Sequence, residues 1–266
     1  MGQKMKNAPL YFTIAQARYN PVLSLKTYMP DIQEHMRNAG YPDFTQGVTM
    51  VFNIALAVSG DASQPPPPPV QHVDRYVFSN MERTRGFILQ PNALSFQATQ
   101  YDTFELFSSE FKKGLEIVHK FVGLNFSERI GIRYLDAVVP KSGEDISMYL
   151  VPEVLGISSR LKLNEIIHSF SETLGRIDSI GQVIARTLIQ NRKLGFPPDI
   201  QLDGLKLMEK FANVECLHAI IDTDGAFEGR ETFDIAKIMK RLDELHNEAS
   251  NSFQATITDF ARSVWQ

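Results

Sequence analysis

The chain has 266 residues, 43% apolar and 10% aromatic, a core-forming composition for one large domain or two smaller ones sharing a core, and unlike a disordered segment. Its 27 Lys and Arg against 31 Asp and Glu leave a net charge of -4, so any grip on nucleic acid must come from a local patch rather than bulk charge. A single cysteine, Cys216, excludes a disulfide framework and a cysteine-rich zinc site and fits a reducing compartment.

The first ten residues carry Lys4 and Lys6 but no apolar run of signal-peptide length. No stretch approaches the roughly 18 uncharged apolar residues of a membrane span. A cytoplasmic location is therefore expected. Segment 10–19 is aromatic and β-branched, reads as a strand, and is stopped by Asn20-Pro21. Ser24 caps a helix to Asn38, with Leu25, Tyr28, Ile32 and Met36 at helical spacing and Gly40 beyond the end. Residues 48–58 read as a second strand. A stiff proline-rich loop follows at 60–72, with five prolines at 65–69 that offer no ladder donors. From 73 to 100 the pattern predicts three strands, turning near residues 80–82 and 90–92.

Phe104, Phe107, Phe111, Leu115, Val118 and Val122 then define one face of a long helix. Residues 129–136 return as a strand that ends by Pro140. Two further strands are expected near 165–177 and 182–190, followed by a long connection with Pro197-Pro198. Residues 214–222 read as a strand closed by a turn at Asp224-Gly225. The remainder reads as helix, with Ile235, Ile238, Leu242, Leu245 and Ala249 in one stripe. Phe253, Ile257, Phe260 and Trp265 continue that stripe after a break at Asn251. Both halves, 1–140 and 141–266, thus run strands and then a long amphipathic helix. The expectation is an α+β protein with antiparallel sheets carrying helices on one face, built from two degenerate ferredoxin-like or related units packed as one globule.

Three constellations invite chemistry. His218, Asp222 and Asp224 share one side of a strand and offer nitrogen and oxygen to a divalent metal. As a calcium loop, however, the segment has its Gly225 too early. The bland reading is a strand end with an Asx-type turn. The same Asp-x-Asp-Gly has the form of the first motif of haloacid-dehalogenase-type phosphatases, but too little chain follows it to build that fold. Arg83 and Arg85 alternate on one strand and Arg129 and Arg133 on another, so neighbouring strands would converge four guanidinium groups on an anion or nucleic acid. Equally, Glu82, Asp102, Glu128 and Asp136 are available to pair with those arginines on a solvated sheet face. The third constellation is the C-terminal stripe, in which Leu242, Leu245, Phe253, Ile257, Phe260 and Trp265 are either a partner surface or core. No histidine pair at metal-ligand spacing, nucleophile elbow, phosphate-binding loop or dinucleotide fingerprint occurs, so no cofactor is expected and an enzyme is not the leading expectation.

Asn7-Ala-Pro-Leu-Tyr-Phe-Thr-Ile-Ala-Gln-Ala-Arg-Tyr-Asn-Pro21, Ile32-Gln-Glu-His-Met-Arg37, Gly40-Tyr-Pro-Asp-Phe44, Arg129-Ile-Gly-Ile-Arg-Tyr-Leu-Asp136, Leu245-His246, Phe253-Gln-Ala-Thr-Ile-Thr-Asp259 and Trp265 carry a resemblance. Together they resemble a sporadically distributed family of uncharacterised prokaryotic proteins of about this length, with no assigned activity. The patchy distribution implies genes that travel between genomes, in accessory, antiviral-defence or toxin–antitoxin loci, with a protein partner encoded nearby. The leading expectation is a non-catalytic binding or regulatory subunit of such a system, free or as a homo-oligomer. The alternatives are an RNA- or DNA-binding protein using the arginine face and a metal-dependent hydrolase or nuclease using His218, Asp222 and Asp224.

Overall fold

A computed structural model describes residues 7–52, 70–161, 164 and 166–266. In chain order they form β1 (Leu10–Tyr19), α1 (Leu25–Asn38), β2 (Asp43–Phe52), β3 (Val70–Ser79), β4 (Arg85–Gln90), β5 (Ala93–Ala98), α2 (Phe104–Val122) and β6 (Phe126–Val138). There follow α3 (Ile146–Tyr149), α4 (Pro152–Leu155), a 3-10 turn at Gly156–Ser159, β7 (His168–Ile177), β8 (Gly181–Lys193), α5 (Glu209–Ala212), β9 (Glu215–Thr232), α6 (Ile235–Thr256) and α7 (Asp259–Trp265). The proline run 65–69 and residues 53–58 of the expected second strand lie outside the described residues.

The strands join in one antiparallel sheet of order β2-β3-β4-β5-β1-β6-β9-β8-β7. Its arrangement repeats. In the first set β1 leads through a helix into the meander β2–β5, whose last strand lies beside β1 and is followed by α2. In the second, β6 leads through short helices into the meander β7–β9, whose last strand lies beside β6 and is followed by α6. The two lead strands pair antiparallel at the centre, with Thr13 opposite Tyr134 and Ala15 opposite Ile132. A ferredoxin-like unit interposes a helix before its last strand. The first set does not, since its meander joins direct neighbours without a crossover, and in the second only the four-residue α5 precedes β9, which still pairs antiparallel with β8. β6, placed in the first half by the 140 boundary, opens the second set.

The long helices cover one face. Phe107, Phe111, Leu115 and Val118 of α2 and Ile238, Leu242, Leu245 and Ala249 of α6 pack with Phe87, Phe96, Ala15, Ile130 and Ile132 from the sheet. Thr103 caps α2 by accepting from the Leu106 amide, and Asp234 caps α6 by accepting from Ala236 and Lys237. Gly225 lets α6 come close, since a Cβ there would stand 3.4 Å from the Leu245 carbonyl oxygen. That role corrects the expected turn at Asp224-Gly225. β9 runs through both residues because Gly225 is already paired with Ile132 on one side and Val183 on the other. The terminal helix likewise continues past Asn251 and ends at Thr256. Thr258 then starts α7 by accepting from the Ala261 amide. On the opposite face, the connection through Leu194, Phe196, Leu207 and Phe211 covers Tyr11, Phe12, Leu135 and Ile220.

Candidate functional site

Strand alternation assigns each expected site residue to a face. Arg129 and Arg133 lie on the face opposite the long helices. Arg83 falls in the turn before β4 with a left-handed φ of 56°, and Arg85 opens β4 opposite Ala98. The four arginines therefore do not converge, because the turn takes Arg83 out of the strand and its pairing is local. Arg83 donates to Asp43 at 2.9 Å, and Arg129 reaches Gln16 at 3.3 Å and Glu228 at 3.7 Å. Arg133 donates from Nε and Nη2 to the two Asp222 oxygens, both at 2.7 Å, and from Nη1 to Asp199 at 2.5 Å. Arg186 reaches Asp222 at 3.4 Å and Glu172 at 2.6 Å. Two of the expected acids stand elsewhere. Glu128 pairs with Arg230, and Asp136, an odd number of residues from Arg133, faces the other way.

This network also corrects the metal reading. The Asp222 carboxylate is occupied by two guanidinium groups. His218 is fully buried, with Nδ1 2.8 Å from the Cys216 carbonyl and Nε2 3.0 Å from the Gln190 amide nitrogen. Burial pushes the Asp224 carboxyl upward, which disfavours the charge a cation needs. Among the described residues no group of three His, Cys, Asp or Glu is placed to hold a metal ion. The expected partner stripe is also committed elsewhere. Leu242 and Leu245 are buried under α6, while Ile257 and Trp265 are buried in a second cluster with Val138, Tyr149 and Ile221, against which Phe253 and Phe260 pack. Large exposed apolar side chains occur instead on the edge strand β7, at Phe170 and Leu174.

A different site emerges on the helix face at the centre of the sheet. A cavity of about 130 Å³ lies between β1, β6, β9 and the second half of α6, lined by Leu10, Tyr101, Tyr134, Asp136, Thr223, His246, Ala249, Ser250 and Phe253. Alternation puts Asp136 into it, in phase with Ile130, Ile132 and Tyr134, and the β6–β9 register sets Thr223 beside Tyr134. The Asp136 carboxyl has no hydrogen-bond or ion-pair partner among the described residues, and burial alone pushes it up to about 8. The buried Thr223 hydroxyl has no partner among them either. Tyr134 stands with its hydroxyl 2.8 Å from His246 Nδ1, and its ring meets that of Tyr101 edge-on with centres 6.0 Å apart. Burial holds the His246 pKa below its ordinary value, so its neutral ring is available to accept at Nδ1, and it stacks on Phe104 with ring centres 3.9 Å apart. Tyr101 also borders a second pocket of about 220 Å³, with Arg85, Asp102 and Glu110.

Buried polar groups without partners are costly, and convergent ones in an apolar cavity define a default binding site. Sequence reading leaves Asp136 among the arginine partners, takes His246 as a surface or packing residue of a helix, and assigns no role to Thr223 or Tyr101. The available signal is Asp136 itself, a carboxylate in phase with the apolar residues Ile130, Ile132 and Val138. No protein-family profile matches the chain, and neither curated proteins nor solved structures give a significant match. No helix among the described residues is long and apolar enough to cross a membrane.

Proposed function

We propose that the protein is a non-catalytic binding protein that takes up a small molecule in the cavity beneath α6, acting as a regulatory subunit in the accessory setting that the family resemblance implies. The observation that carries this reading is the pair of unpartnered polar groups, Asp136 and Thr223, facing one apolar cavity where the two strand sets meet. A cavity of this size has room for roughly six to eight non-hydrogen atoms. Its lining comes from β1, the β5–α2 connection, β6, β9 and α6, so an occupant would bridge both sets and α6.

Binding to the folded state alone stabilises it by about 2.7 kcal/mol at a hundredfold excess over Kd. A panel of small cations, anions and neutral molecules is therefore screened by thermal shift, on the native protein and on Ser250→Trp. Ser250 is exposed at the rim, so the bulky ring closes the cavity without entering the core. Members that raise Tm in the native protein and not in the plugged variant support the reading. A panel without effect on either protein rejects it.

A further inference from the structure

Resting on the cavity reading above, we infer that the ligand is a small organic ammonium ion, held by Asp136 inside a ring of aromatic side chains. Tyr101, Tyr134, His246 and Phe253 present four aromatic rings to the cavity, and among the described residues Asp136 is the single acidic side chain in the lining. No described lysine or arginine lines it, so an anion would find no counter-charge there. A bare metal ion fits no better. Asp136 is the one carboxyl in the lining, the four hydroxyls of Tyr101, Tyr134, Thr223 and Ser250 are neutral, and the Tyr134 hydroxyl is already engaged with His246, whereas hard cations take several charged oxygen ligands. An alkylammonium or methylated ammonium meets both parts of the lining: its charge pairs with the carboxylate, and its alkyl groups and diffuse charge sit against the aromatic faces.

The unpartnered oxygens follow from this assignment. Asp136 is neutral in the empty cavity because burial penalises its charge and no cation is near. An entering ammonium supplies the missing partner, and the carboxyl then releases its proton to solvent. Thr223 Oγ1 accepts one ammonium hydrogen or turns toward the carboxylate. The other titratable groups acting here are Tyr101, Tyr134 and His246 in the lining, with Tyr11 beneath and Glu105, Asp102 and Asp243 nearby. The tyrosines are raised far above neutral pH and His246 is lowered, so none supplies a competing cation at pH 7 to 8.

The test is calorimetric titration of the native protein with isopentylammonium and tetramethylammonium, against the isosteric neutral 3-methylbutan-1-ol and the anion isovalerate. The expected result is binding of the cations at least tenfold tighter than the alcohol. About one proton should be released per cation at pH 7, read from buffers of different ionisation enthalpy, and affinity should rise between pH 6 and 8. Asp136→Asn should weaken cation binding at least tenfold while leaving the alcohol unchanged or tighter. Alcohol binding equal to or tighter than the cations, or cation binding that Asp136→Asn leaves unchanged, overturns the ammonium assignment while leaving the cavity reading standing. Silence from all four ligands overturns the ammonium assignment, and the thermal-shift panel alone then decides the cavity reading. The native protein alone decides the question if Asp136→Asn does not fold.

Discussion

Arg133 and Asp222 form a two-point ion pair across the β6–β9 ladder, Nε to Oδ1 and Nη2 to Oδ2, each at 2.7 Å, with both side chains about nine-tenths buried. The pair lies diagonally, since the residues directly opposite each other are Leu135 with Asp222 and Arg133 with Asp224. Removing one partner strands the other charge in a poorly solvated place. Asp222→Ala should therefore cost roughly 3–5 kcal/mol of stability. Denaturant unfolding of the single and double variants checks this. The Arg133→Met, Asp222→Leu double variant should recover much of the loss.

Stability should depend on pH through Asp136. Its carboxyl ionises near 3.8 when unfolded and near 8 when folded, so between about pH 4 and 8 the folded state holds one more proton. Stability from this group is full below the lower value and falls as pH rises through the window, at up to ~1.4 kcal/mol per pH unit. Asp136→Asn should flatten that decline and be more stable than the native protein at pH 8. Chemical denaturation at pH 5, 6.5 and 8 measures it.

His218 and His246 act with the opposite sign. Burial lowers both pKa values, so below the ordinary value of 6.5 the unfolded chain binds protons that the folded state refuses. Stability from these groups is lost as pH falls below 6.5. His246→Gln, which keeps a hydrogen-bonding group near the Tyr134 hydroxyl, should reduce the acid-side loss seen between pH 6.5 and 5. An unchanged acid limb would mean His246 is solvated.

Gly225 should not tolerate a side chain. A Cβ there would press on the Leu245 backbone oxygen and side chain beneath α6, so Gly225→Val should cost roughly 1–3 kcal/mol by overpacking. Gly143 offers a control on space rather than conformation, since no atom lies within 4 Å of its added Cβ. Thermal unfolding of the Gly225→Val variant gives the answer directly.

The last helix belongs to the fold. Trp265 is 7% exposed, stacks near Tyr149 and Phe253, and its carbonyl accepts from the Asn7 amide. Trp265→Ala should cost roughly 3–5 kcal/mol. Deletion from residue 257 should leave the chain unfolded by circular dichroism. A folded truncation would return the stripe to the surface.

Period and punctuation were enough for most elements. Phe107, Phe111, Leu115 and Val118 at helical spacing marked α2, and Asn20-Pro21 ended β1 where the structure ends it. Local rules failed where a distant partner decided. Asp224-Gly225 has turn chemistry, yet ladder bonds to Ile132 and Val183 hold it extended. Asn251 looked like a break, but α6 rests on the sheet and continues to Thr256.

By itself the sequence determined an α+β fold, since alternating strands and two long amphipathic helices can bury their apolar faces only as helices laid on antiparallel sheet. It also determined that Arg129 and Arg133 share a face and that Asp136 takes the other, because side-chain direction reverses at every strand residue. Only the tertiary structure decided what stands above those faces. Tyr101 from the β5–α2 connection and His246 from α6 reach Tyr134 across long stretches of chain, and strand order alone seats α6 over Asp136 and Thr223. Pairing order and helix placement depend on which apolar surfaces fit together in space, and no local spacing in the sequence encodes that fit.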